Sequence, residues 1–379
     1  MHYFLIAGEA SGDLHASHLI TALRAADPDA VITFLGGDKM AAASGSEPIV
    51  HYREMAYMGF SEVLRNLDKV SANLRCAKDA VRMAQPDALI LIDYPSFNLK
   101  VAATAHAAGI PVYYYISPKI WAWKKWRIRD IRKHVRRVFC ILPFEPEFYR
   151  RNDYEAVYVG NPSVAEVDGM LAAADTREVF LKKYRLRDRP LVALLPGSRK
   201  GEIRNNLPVM NLALQQFPQY HGVIVAAPGI ADEMYKTFGA GNIPVIRPEN
   251  APEVLAHCRA ALVTSGTATL ETALCGVPQV VCYRANGAKI SYDIMKRLLS
   301  VSHVALPNLI AGKEIIPEQL VHLCTPDLVA TALAPLLREG SAEREAQLAG
   351  YARMRRVLGS SEASVKTAEA IVNDLRNKR

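Results

Sequence analysis

An aspartate follows a run of apolar residues in the segment Ile90-Leu91-Ile92-Asp93-Tyr94-Pro95. If residues 88–92 form a buried strand, Asp93 lies at the carboxyl end of that strand, where parallel sheets bind their ligands. A partly desolvated carboxylate in such a place suits a general base, which typically contributes about 10²–10⁴ in rate. Asp93 would serve equally well to cap the turn that follows, and the residues themselves are compatible with both interpretations.

Two glycine-bearing loops lead from a predicted strand into a predicted helix. The first is Gly8-Glu9-Ala10-Ser11-Gly12-Asp13 and the second is Pro196-Gly197-Ser198-Arg199. Backbone N–H groups at a helix N-terminus can bind anions and sugar hydroxyls. The first loop lacks the G-x-G-x-x-G spacing of dinucleotide folds, and a structural tight turn explains it equally well. The second loop carries Arg199, whose planar guanidinium can donate two parallel hydrogen bonds to a diphosphate, so a binding site is favoured there.

Small residues surround a third predicted helix start, in Thr264-Ser265-Gly266-Thr267-Ala268-Thr269-Leu270-Glu271. Ser265, Gly266 and Thr267 can offer backbone and hydroxyl donors to a diphosphate. Glu271 follows Thr267 by one helical turn, so its carboxylate faces the same way and can accept two ribose hydroxyls. An ordinary capped helix with a solvated glutamate is the alternative. The combination of small residues and a carboxylate favours a nucleotide site.

Three tryptophans lie in a basic segment, residues 119–137, which contains nine Lys/Arg and one Asp. They are Trp121, Trp123 and Trp126, and the chain has no other tryptophan. Basic residues with tryptophan suit an anionic membrane surface, where each charge contributes about 1 kcal/mol. Nucleic acid would use the same residue types through phosphate contact and stacking. A solvated basic helix is the third interpretation.

An apolar stripe at helical spacing runs through residues 58–74. It is formed by Phe60, Val63, Leu64, Leu67 and Leu74. Burial against its own domain is the commoner fate of such a stripe. The residues alone therefore favour a core helix over a membrane contact.

Short apolar segments alternate with longer amphipathic ones, which predicts parallel sheets covered by helices on both faces. A length of 379 residues suits two such domains. The predicted strands are 3–7, 31–35, 88–92, 112–116 and 138–142 in the first domain, and 191–195, 222–226, 244–246, 260–263 and 279–282 in the second. The join lies near Gly160-Asn161-Pro162, and residues 342–379 have helical periodicity.

The six cysteines lie far apart, with no C-x-x-C pair and no His or Cys at metal-ligand spacing. We therefore expect reduced thiols, no bound metal and a cytoplasmic protein. The first residues lack the features of a secretory signal, and no apolar run approaches the roughly 18 residues that span a bilayer. The formal net charge of +8 predicts attraction to an anionic partner such as phosphate, nucleic acid or lipid.

Seven segments, taken together and in order, resemble the lipid-A-disaccharide synthase family over nearly the whole chain. They are Ala7-Gly8-Glu9-Ala10-Ser11-Gly12-Asp13, Met58-Gly59-Phe60-Ser61-Glu62-Val63, Ser117-Pro118-Lys119-Ile120-Trp121-Ala122-Trp123, Leu142-Pro143-Phe144-Glu145, Leu195-Pro196-Gly197-Ser198-Arg199, Ser265-Gly266-Thr267-Ala268-Thr269-Leu270-Glu271 and Leu306-Pro307-Asn308-Leu309. The resemblance implies a GT-B type α/β fold: two doubly wound Rossmann-like domains with a cleft between them and C-terminal helices that cross back to the first domain. It implies that residues 1–165, completed by about 345–379, bind the acceptor and face the membrane, and that residues 166–344 bind the UDP-sugar donor.

The resemblance also implies an inverting hexosyltransferase. Its donor would be UDP-2,3-diacylglucosamine and its acceptor 2,3-diacylglucosamine 1-phosphate, giving the β-1,6-linked lipid A disaccharide 1-phosphate and UDP. No cofactor, metal or nucleic acid is expected. We expect peripheral association with the anionic inner face of the cytoplasmic membrane and a homodimer through the C-terminal segment. With acylated substrates, membrane contact becomes the favoured function of Phe60, Val63, Leu64, Leu67, Trp121, Trp123 and Trp126.

Positions that match the family motifs give the expected site. Asp93 corresponds to the base, with Glu9 as the second choice. The UDP donor would contact Ser198, Arg199, Ser265, Gly266, Thr267, Ala268, Glu271 and Asn308, and the acceptor would contact Ser11, Gly12, Asp13 and Asn98. Two positions depart from the family, since Ser96 stands where Asp is frequent and Asn161 where His is frequent, so neither missing group is essential if this protein is active.

Two other classes of function remain as alternatives. One is a different GT-B enzyme that uses UDP-GlcNAc, either an epimerase or the transferase of peptidoglycan synthesis. The other is a non-catalytic basic module that binds anionic lipid or nucleic acid, which strong salt-dependent binding without UDP affinity would favour.

Overall fold

A computed structural model describes residues 1–55, 67–122, 124–239, 243–247, 251–284, 303–359 and 362–377. The chain divides into two compact units: Met1–Pro162 together with Ser360–Arg379, and Ser163–Gly359. Each unit is built on one six-stranded parallel sheet. Within the described ranges, no helix combines the length and the apolar character that a membrane crossing needs.

The sheet of the first unit has the strand order β2-β1-β3-β4-β5-β6. Strands β1 to β6 are His2–Ala7, Val31–Leu35, Ala88–Ile92, Val112–Tyr115, Arg137–Cys140 and Ala156–Tyr158. Alternation along β1 places Tyr3 and Leu5 in a core on one face, and Phe4 and Ile6 in a core on the other. Both faces are therefore covered, as expected for a doubly wound sheet.

Seven described helices precede the second unit. Helices α1 to α7 are Ala10–Ala26, Asp38–Ser44, Tyr52–Met55, Leu67–Ala84, Pro95–Ala107, Ile128–His134 and Glu145–Arg150. A short 3₁₀ turn, Lys125–Arg127, leads into α6. Because all strands are parallel, the loops that leave β1, β3 and β4 lie at one edge of the sheet.

The sheet of the second unit has the strand order β12-β11-β10-β7-β8-β9. Strands β7 to β12 are Leu191–Leu195, His221–Val225, Val245–Ile246, Cys258–Val263, Gln279–Tyr283 and Glu318–Leu320. The central strand β7 is buried along its whole length. It pairs with β10 on one side and β8 on the other, so the loops after β7 and β10 are neighbours.

The described helices of the second unit, α8 to α16, cover both faces of that sheet. They are Pro162–Ala172, Arg177–Lys183, Lys200–Leu214, Asp232–Phe238, Ala251–Ala256, Thr267–Leu274, Leu306–Ala311, Pro326–Leu337 and Ala342–Leu358. Helix α16 belongs here because the Gln279 backbone N–H donates to Gln347 Oε1 at 2.5 Å, and the Tyr351 hydroxyl donates to the Val277 carbonyl at 3.2 Å.

The last helix, α17 (Ala363–Arg376), returns to the first unit, where Ile371 and Val372 join the core that covers α1. Its Asp374 carboxylate accepts hydrogen bonds from the Tyr113 hydroxyl at 2.6 Å, from Arg137 at 2.9 Å and from Arg136. The resemblance implied a return to the first unit from about residue 345. The described contacts of α16 are with the second sheet, and those of α17 are with the first unit.

Candidate functional site

Asp93 lies directly beyond β3, half-buried at the carboxyl edge of the first sheet. Asp93 and Tyr94 have positive φ angles of 41° and 46°. The left-handed region of φ is unfavourable for residues other than glycine, so two consecutive residues there strain the backbone. Such strain persists only where surrounding contacts fix the backbone. The Asp93 carbonyl oxygen accepts hydrogen bonds from Asn98 Nδ2 at 2.8 Å and from the Tyr114 hydroxyl at 2.5 Å. These bonds hold the turn that carries the carboxylate.

The Asp93 carboxylate has the electrostatic surroundings of a base. Burial raises the pKa of the Asp93 carboxyl above its ordinary value. The charge of Lys119, a hydrogen bond from the Tyr94 backbone N–H and the charge of His15 act in the opposite direction on that pKa. A raised pKa brings a carboxylate closer to neutral pH, where a general base is most effective.

The loop after β1 packs against the Asp93 turn through the Tyr94 ring. A Cβ atom at Gly8 would stand 2.3 Å from that ring, so only glycine fits there. Glu9 is the N-cap residue of α1, and burial followed by the charge of Glu9 raises the pKa of the Tyr94 hydroxyl. The structure therefore brings both predicted bases, Asp93 and Glu9, to one edge of one sheet.

Asp13, predicted to face the acceptor, has a structural function. It is buried on α1, and its carboxylate accepts hydrogen bonds from the backbone N–H groups of Gly37 at 2.7 Å, Lys39 at 3.1 Å and Met40 at 3.2 Å. Asp13 thus satisfies the first turn of α2. Beside it, Ser11 is exposed in the first turn of α1 and Gly12 is buried.

Asn98, also predicted to contact the acceptor, is fully buried on α5. Its Nδ2 group donates to the carbonyls of Ile92 at 3.2 Å and Asp93 at 2.8 Å. Both donors of the amide are therefore used to shape the β3–α5 turn. Asn98 acts on the site by positioning Asp93.

Trp121 corrects the expectation that all three tryptophans contact a membrane. It is 6% exposed, and its Nε1–H donates to Glu145 Oε1 at 3.0 Å. A buried indole with a buried hydrogen-bond partner is a core residue, so the predicted membrane contact of Trp121 is wrong. Trp126 is 61% exposed, with the Arg127 guanidinium 5.6 Å from the centre of its ring.

Most of the other predicted membrane contacts are not among the described residues. Phe60, Val63, Leu64 and Trp123 lie outside the described residues. Leu67 is the first residue of α4. The apolar stripe therefore stays a prediction.

Arg127, which the sequence analysis did not single out, is buried beside the start of α5. Its Nη2 donates to Ser96 Oγ at 2.6 Å. Ser96 is one of the two departures from the family motif, and it offers the buried Arg127 a neutral hydroxyl. Asn161, the other departure, is buried and donates to the Ile141 carbonyl at 3.0 Å. Nothing in a run of nine cations indicates which one is buried, so sequence reasoning had no signal for Arg127.

In the second unit, the loop after β7 turns at Gly197, whose φ of 115° disfavours any other residue. The Glu202 carboxylate closes this loop by accepting hydrogen bonds from the backbone N–H groups of Ser198 at 3.0 Å and Arg199 at 3.3 Å. It also pairs with Arg199 Nη1 at 3.3 Å. An anionic ligand would compete with Glu202 for the two backbone donors. The exposed guanidinium of Arg199, which has further N–H groups, is the better donor to a diphosphate.

The second predicted donor segment starts α13, directly beyond β10. Its residues are exposed or half-buried, as a binding surface requires: Ser265, Gly266, Thr267, Ala268 and Glu271. The Ser265 hydroxyl donates to the Val304 carbonyl at 3.2 Å. Because β10 and β7 are adjacent and parallel, this segment and the Arg199 loop share one edge of the sheet.

Asn206, on α10, forms hydrogen bonds to the carboxyl ends of both β7 and β10, from which these two loops begin. Its Nδ2 donates to the Pro196 carbonyl at 3.3 Å and to Thr264 Oγ1 at 2.9 Å, while its Oδ1 accepts from the Arg284 backbone N–H at 2.7 Å. The side chain is fully buried. A single asparagine inside a helix has no recognisable spacing, so nothing in the sequence indicates this function of Asn206.

Asn308 was expected to contact UDP, but its side-chain amide is saturated. Nδ2 donates to the Ile316 carbonyl at 2.9 Å and to Glu318 Oε1 at 2.8 Å, and Oδ1 accepts from the backbone N–H groups of Ile315 at 2.7 Å and Ile316 at 2.9 Å. The amide has two donors and two lone pairs, and all are used. The side chain therefore fixes the Leu306–Ala311 helix and is not a free ligand donor.

Among the described residues, the thiols and the side chains that could bind a metal form no further centre. All six cysteines are free thiols. In the part of the chain that the structure describes, no group of three or more His, Cys, Asp or Glu side chains could hold a metal ion.

The family model for lipid-A-disaccharide synthetase matches residues 3–372. A lipid-A-disaccharide synthase of Myxococcus xanthus (strain DK1622) is 41% identical over 375 residues, which cover 97% of this chain and 96% of that protein. One from Acidobacterium capsulatum is 38% identical over 95% of this chain and 92% of that protein.

Among solved structures, the UDP-GlcNAc 2-epimerase from Neisseria meningitidis bound to UDP-GlcNAc has a TM-score of 0.67 and covers 98% of this chain and 100% of that chain. At 13% identity, this likeness concerns the fold alone. It confirms the GT-B fold that the sequence resemblance implied. The match to the family model and the two relatives, each over nearly the whole chain, show that this chain belongs to the lipid-A-disaccharide synthase family of glycosyltransferases.

Proposed function

We propose that this chain joins UDP-2,3-diacylglucosamine to 2,3-diacylglucosamine 1-phosphate, forming the β-1,6-linked lipid A disaccharide 1-phosphate and UDP. Membership of the family supports this choice of donor and acceptor. The observation that carries the mechanism is Asp93, a half-buried carboxylate held in a strained turn at the carboxyl edge of the first sheet.

In the proposed reaction, the 6-hydroxyl oxygen of the acceptor attacks the anomeric carbon of the donor while Asp93 takes the hydroxyl proton. The bond from the anomeric carbon to the diphosphate oxygen breaks, and UDP leaves from the opposite face, so the configuration inverts. Asp93 then returns the proton to solvent. Glu9 lies at the same edge of the sheet and is our second choice for the base.

We assign the donor to the second unit. The charge that develops on the diphosphate would be met by the Arg199 guanidinium and by the start of α13, donors that are in place before the reaction. Both loops stand on adjacent strands, and Asn206 joins the strand ends. This charge assignment predicts activity without a divalent metal.

We also propose that the enzyme works at the inner face of the cytoplasmic membrane. Trp126, with the basic segment around it, and the stripe Phe60, Val63, Leu64 and Leu67 would make the contact. A homodimer through the C-terminal segment is part of the same proposal. Analytical ultracentrifugation tests for that dimer.

Product analysis tests the proposed function against the epimerase alternative. The enzyme is incubated with both diacylated substrates, in the presence and absence of EDTA, and in a separate reaction with UDP-GlcNAc alone, and the products are examined by mass spectrometry. We expect the disaccharide 1-phosphate in both cases. Conversion of UDP-GlcNAc without any acceptor would contradict the transferase, and complete loss of product in EDTA that magnesium restores would contradict the charge assignment.

A further inference from the structure

Glu145, the first residue of α7, is a carboxyl group buried among neutral hydrogen-bond donors. It is 1% exposed, its Oε1 accepts from Trp121 Nε1 at 3.0 Å, and its Oε2 accepts from the Leu142 backbone N–H at 3.0 Å. Burial raises the pKa of Glu145 to about 7. Burying a carboxyl group costs free energy of folding, so packing alone does not account for Glu145.

The segment that Glu145 holds is the loop of residues 116–122 after β4, here called the Lys119 loop. It is anchored at two points, since the Ser117 hydroxyl lies 2.8 Å from the Tyr149 hydroxyl and Trp121 is bound to Glu145. Ile116, at its start, has a φ of 63°. A β-branched residue rarely adopts this left-handed backbone conformation, and it does so only where surrounding contacts fix the backbone. The two anchors supply that constraint.

The anchored loop presents a cation to the proposed base. Lys119 is exposed, and its charge lowers the pKa of the Asp93 carboxyl against the opposing effect of burial. The same charge acts in the same direction on Glu145. The Lys119 loop starts beside the Asp93 turn, because β3 and β4 are adjacent and parallel and the Asp93 backbone N–H donates to the Tyr115 carbonyl at 3.4 Å. The loop that carries Lys119 and the proposed base therefore leave neighbouring strand ends.

We propose that Glu145 is a positioning residue: through Trp121 it holds the Lys119 loop so that the Lys119 ammonium lies beside Asp93. This inference rests on the proposed function of Asp93 as the base. Glu145 itself touches neither substrate nor reacting atom. Its effect on the reaction is carried by the loop.

Other titratable groups face the two carboxyl groups and are part of any pH response. His15 from α1 and Tyr114 from β4 face Asp93. Cys140 from β5, Tyr149 from α7 and Tyr158 from β6 face Glu145. Burial raises the pKa of each of these three groups, and the charge of Glu145 raises it further.

The test is the pH dependence of kcat/KM for acceptor-dependent UDP release. A base must be ionised, so activity falls as the pH drops through the pKa of Asp93. Lys119→Met removes the cation and should move this acid limb upward by about half to one pH unit, which lowers kcat/KM on the limb about 3- to 10-fold. Trp121→Phe keeps an aromatic side chain but removes the indole N–H, and should move the limb the same way.

Glu145→Gln distinguishes positioning from a direct electrostatic effect. If Glu145 acted on Asp93 directly as a like charge, its removal would move the acid limb to lower pH, because a like charge raises the pKa of a carboxyl group. Glutamine has one acceptor oxygen for the two donors that Glu145 binds, so one hydrogen bond is lost and positioning predicts movement to higher pH. If Glu145→Gln does not fold, Trp121→Phe alone decides. Tyr220→Phe is the matched control, because it removes one aromatic hydrogen bond, to the Leu337 carbonyl in the second unit, and should leave the limb unmoved.

The double variant Lys119→Met/Trp121→Phe completes the cycle. We expect its limb to coincide with that of Lys119→Met, because the loop then has no cation to place. Additive shifts, or variants that lose thermal stability while the limb stays in place, would overturn the positioning function of Glu145. Wild-type activity in Asp93→Asn would instead overturn the base assignment, so the two failures are distinguishable.

Discussion

Asp93 and Arg199, the two residues to which we assign chemistry, are each positioned by neighbours of ordinary type. Asn98 and Tyr114 hold the carbonyl of Asp93, and Glu202 closes the turn that carries Arg199. The sequence pointed to Asp93 and Arg199 because each follows a buried strand. Asn98 was expected to contact the acceptor, and nothing in the sequence indicated Tyr114 or Glu202, because the contacts of these neighbours depend on how the chain folds around them.

At this scale we predict that Arg199→Ala lowers kcat/KM about 10²-fold, because a donor to the leaving diphosphate is lost. Arg199→Lys should recover only part of the activity, since an ammonium is a point charge without the planar fork. Steady-state kinetics with varied donor checks this. Arg204→Ala, an exposed arginine one turn along α10, is the control, and equal activity of the two alanine variants would contradict the assignment.

At the scale of helices and strands, burial decided what could be predicted. Strand β3 was predicted with its observed bounds because all its residues are buried and apolar. Strands β6 and β12 were missed because each is a three-residue edge strand with no fully buried residue. The predicted fourth strand included Ile116 on composition, whereas its backbone leaves the sheet at Tyr115 to form the Lys119 loop.

Helix α17 is held to its unit by Asp374. Burial alone would raise the pKa of the Asp374 carboxyl, but hydrogen bonds from Arg136 and Tyr113 and the charge of Arg137 lower it to about 2. A lowered pKa stabilises the fold above the unfolded value near 4, and the contribution disappears as the pH falls from about 5 through 2. Asp374→Asn should therefore lower the free energy of unfolding by about 1–2 kcal/mol at pH 7, allowing for screening at the partly exposed arginines.

Urea unfolding at pH 7 and pH 3 measures this contribution. The difference between wild type and Asp374→Asn should shrink at the lower pH. Asp153→Asn is the control, because Asp153 pairs with Arg132 at 3.6 Å on the exposed surface and should change stability by less than about 0.5 kcal/mol. Equal losses in the two variants would show that Asp374 does not hold α17 as proposed.

At the scale of the molecule, the net charge of +8 and the exposed Trp126 suit an anionic surface. The family resemblance converted these general features into a specific expectation about lipid substrates. That expectation does not hold for every residue of the segment, since Trp121 is buried whereas Trp126 is exposed.

We predict that Trp126→Ser weakens binding to anionic vesicles by about 1 kcal/mol, roughly fivefold, and that Val63→Ser/Leu64→Ser/Leu67→Ser weakens it further. Vesicle co-sedimentation at low and high salt measures both. Met83→Ser is the control, because Met83 is an exposed apolar side chain on α4 outside the basic segment. Unchanged recovery of both variants would exclude these contacts.

The central claim is that Asp93 removes a proton from the acceptor during transfer, and UDP release measured with and without 2,3-diacylglucosamine 1-phosphate tests it most directly. We predict that wild-type release depends on the acceptor and that Asp93→Asn, which keeps the size of the side chain and tolerates the left-handed turn, lowers it about 10²–10⁴-fold, while Ser96→Ala stays active. Acceptor-dependent release at the wild-type rate in Asp93→Asn would contradict the claim and move the base to Glu9.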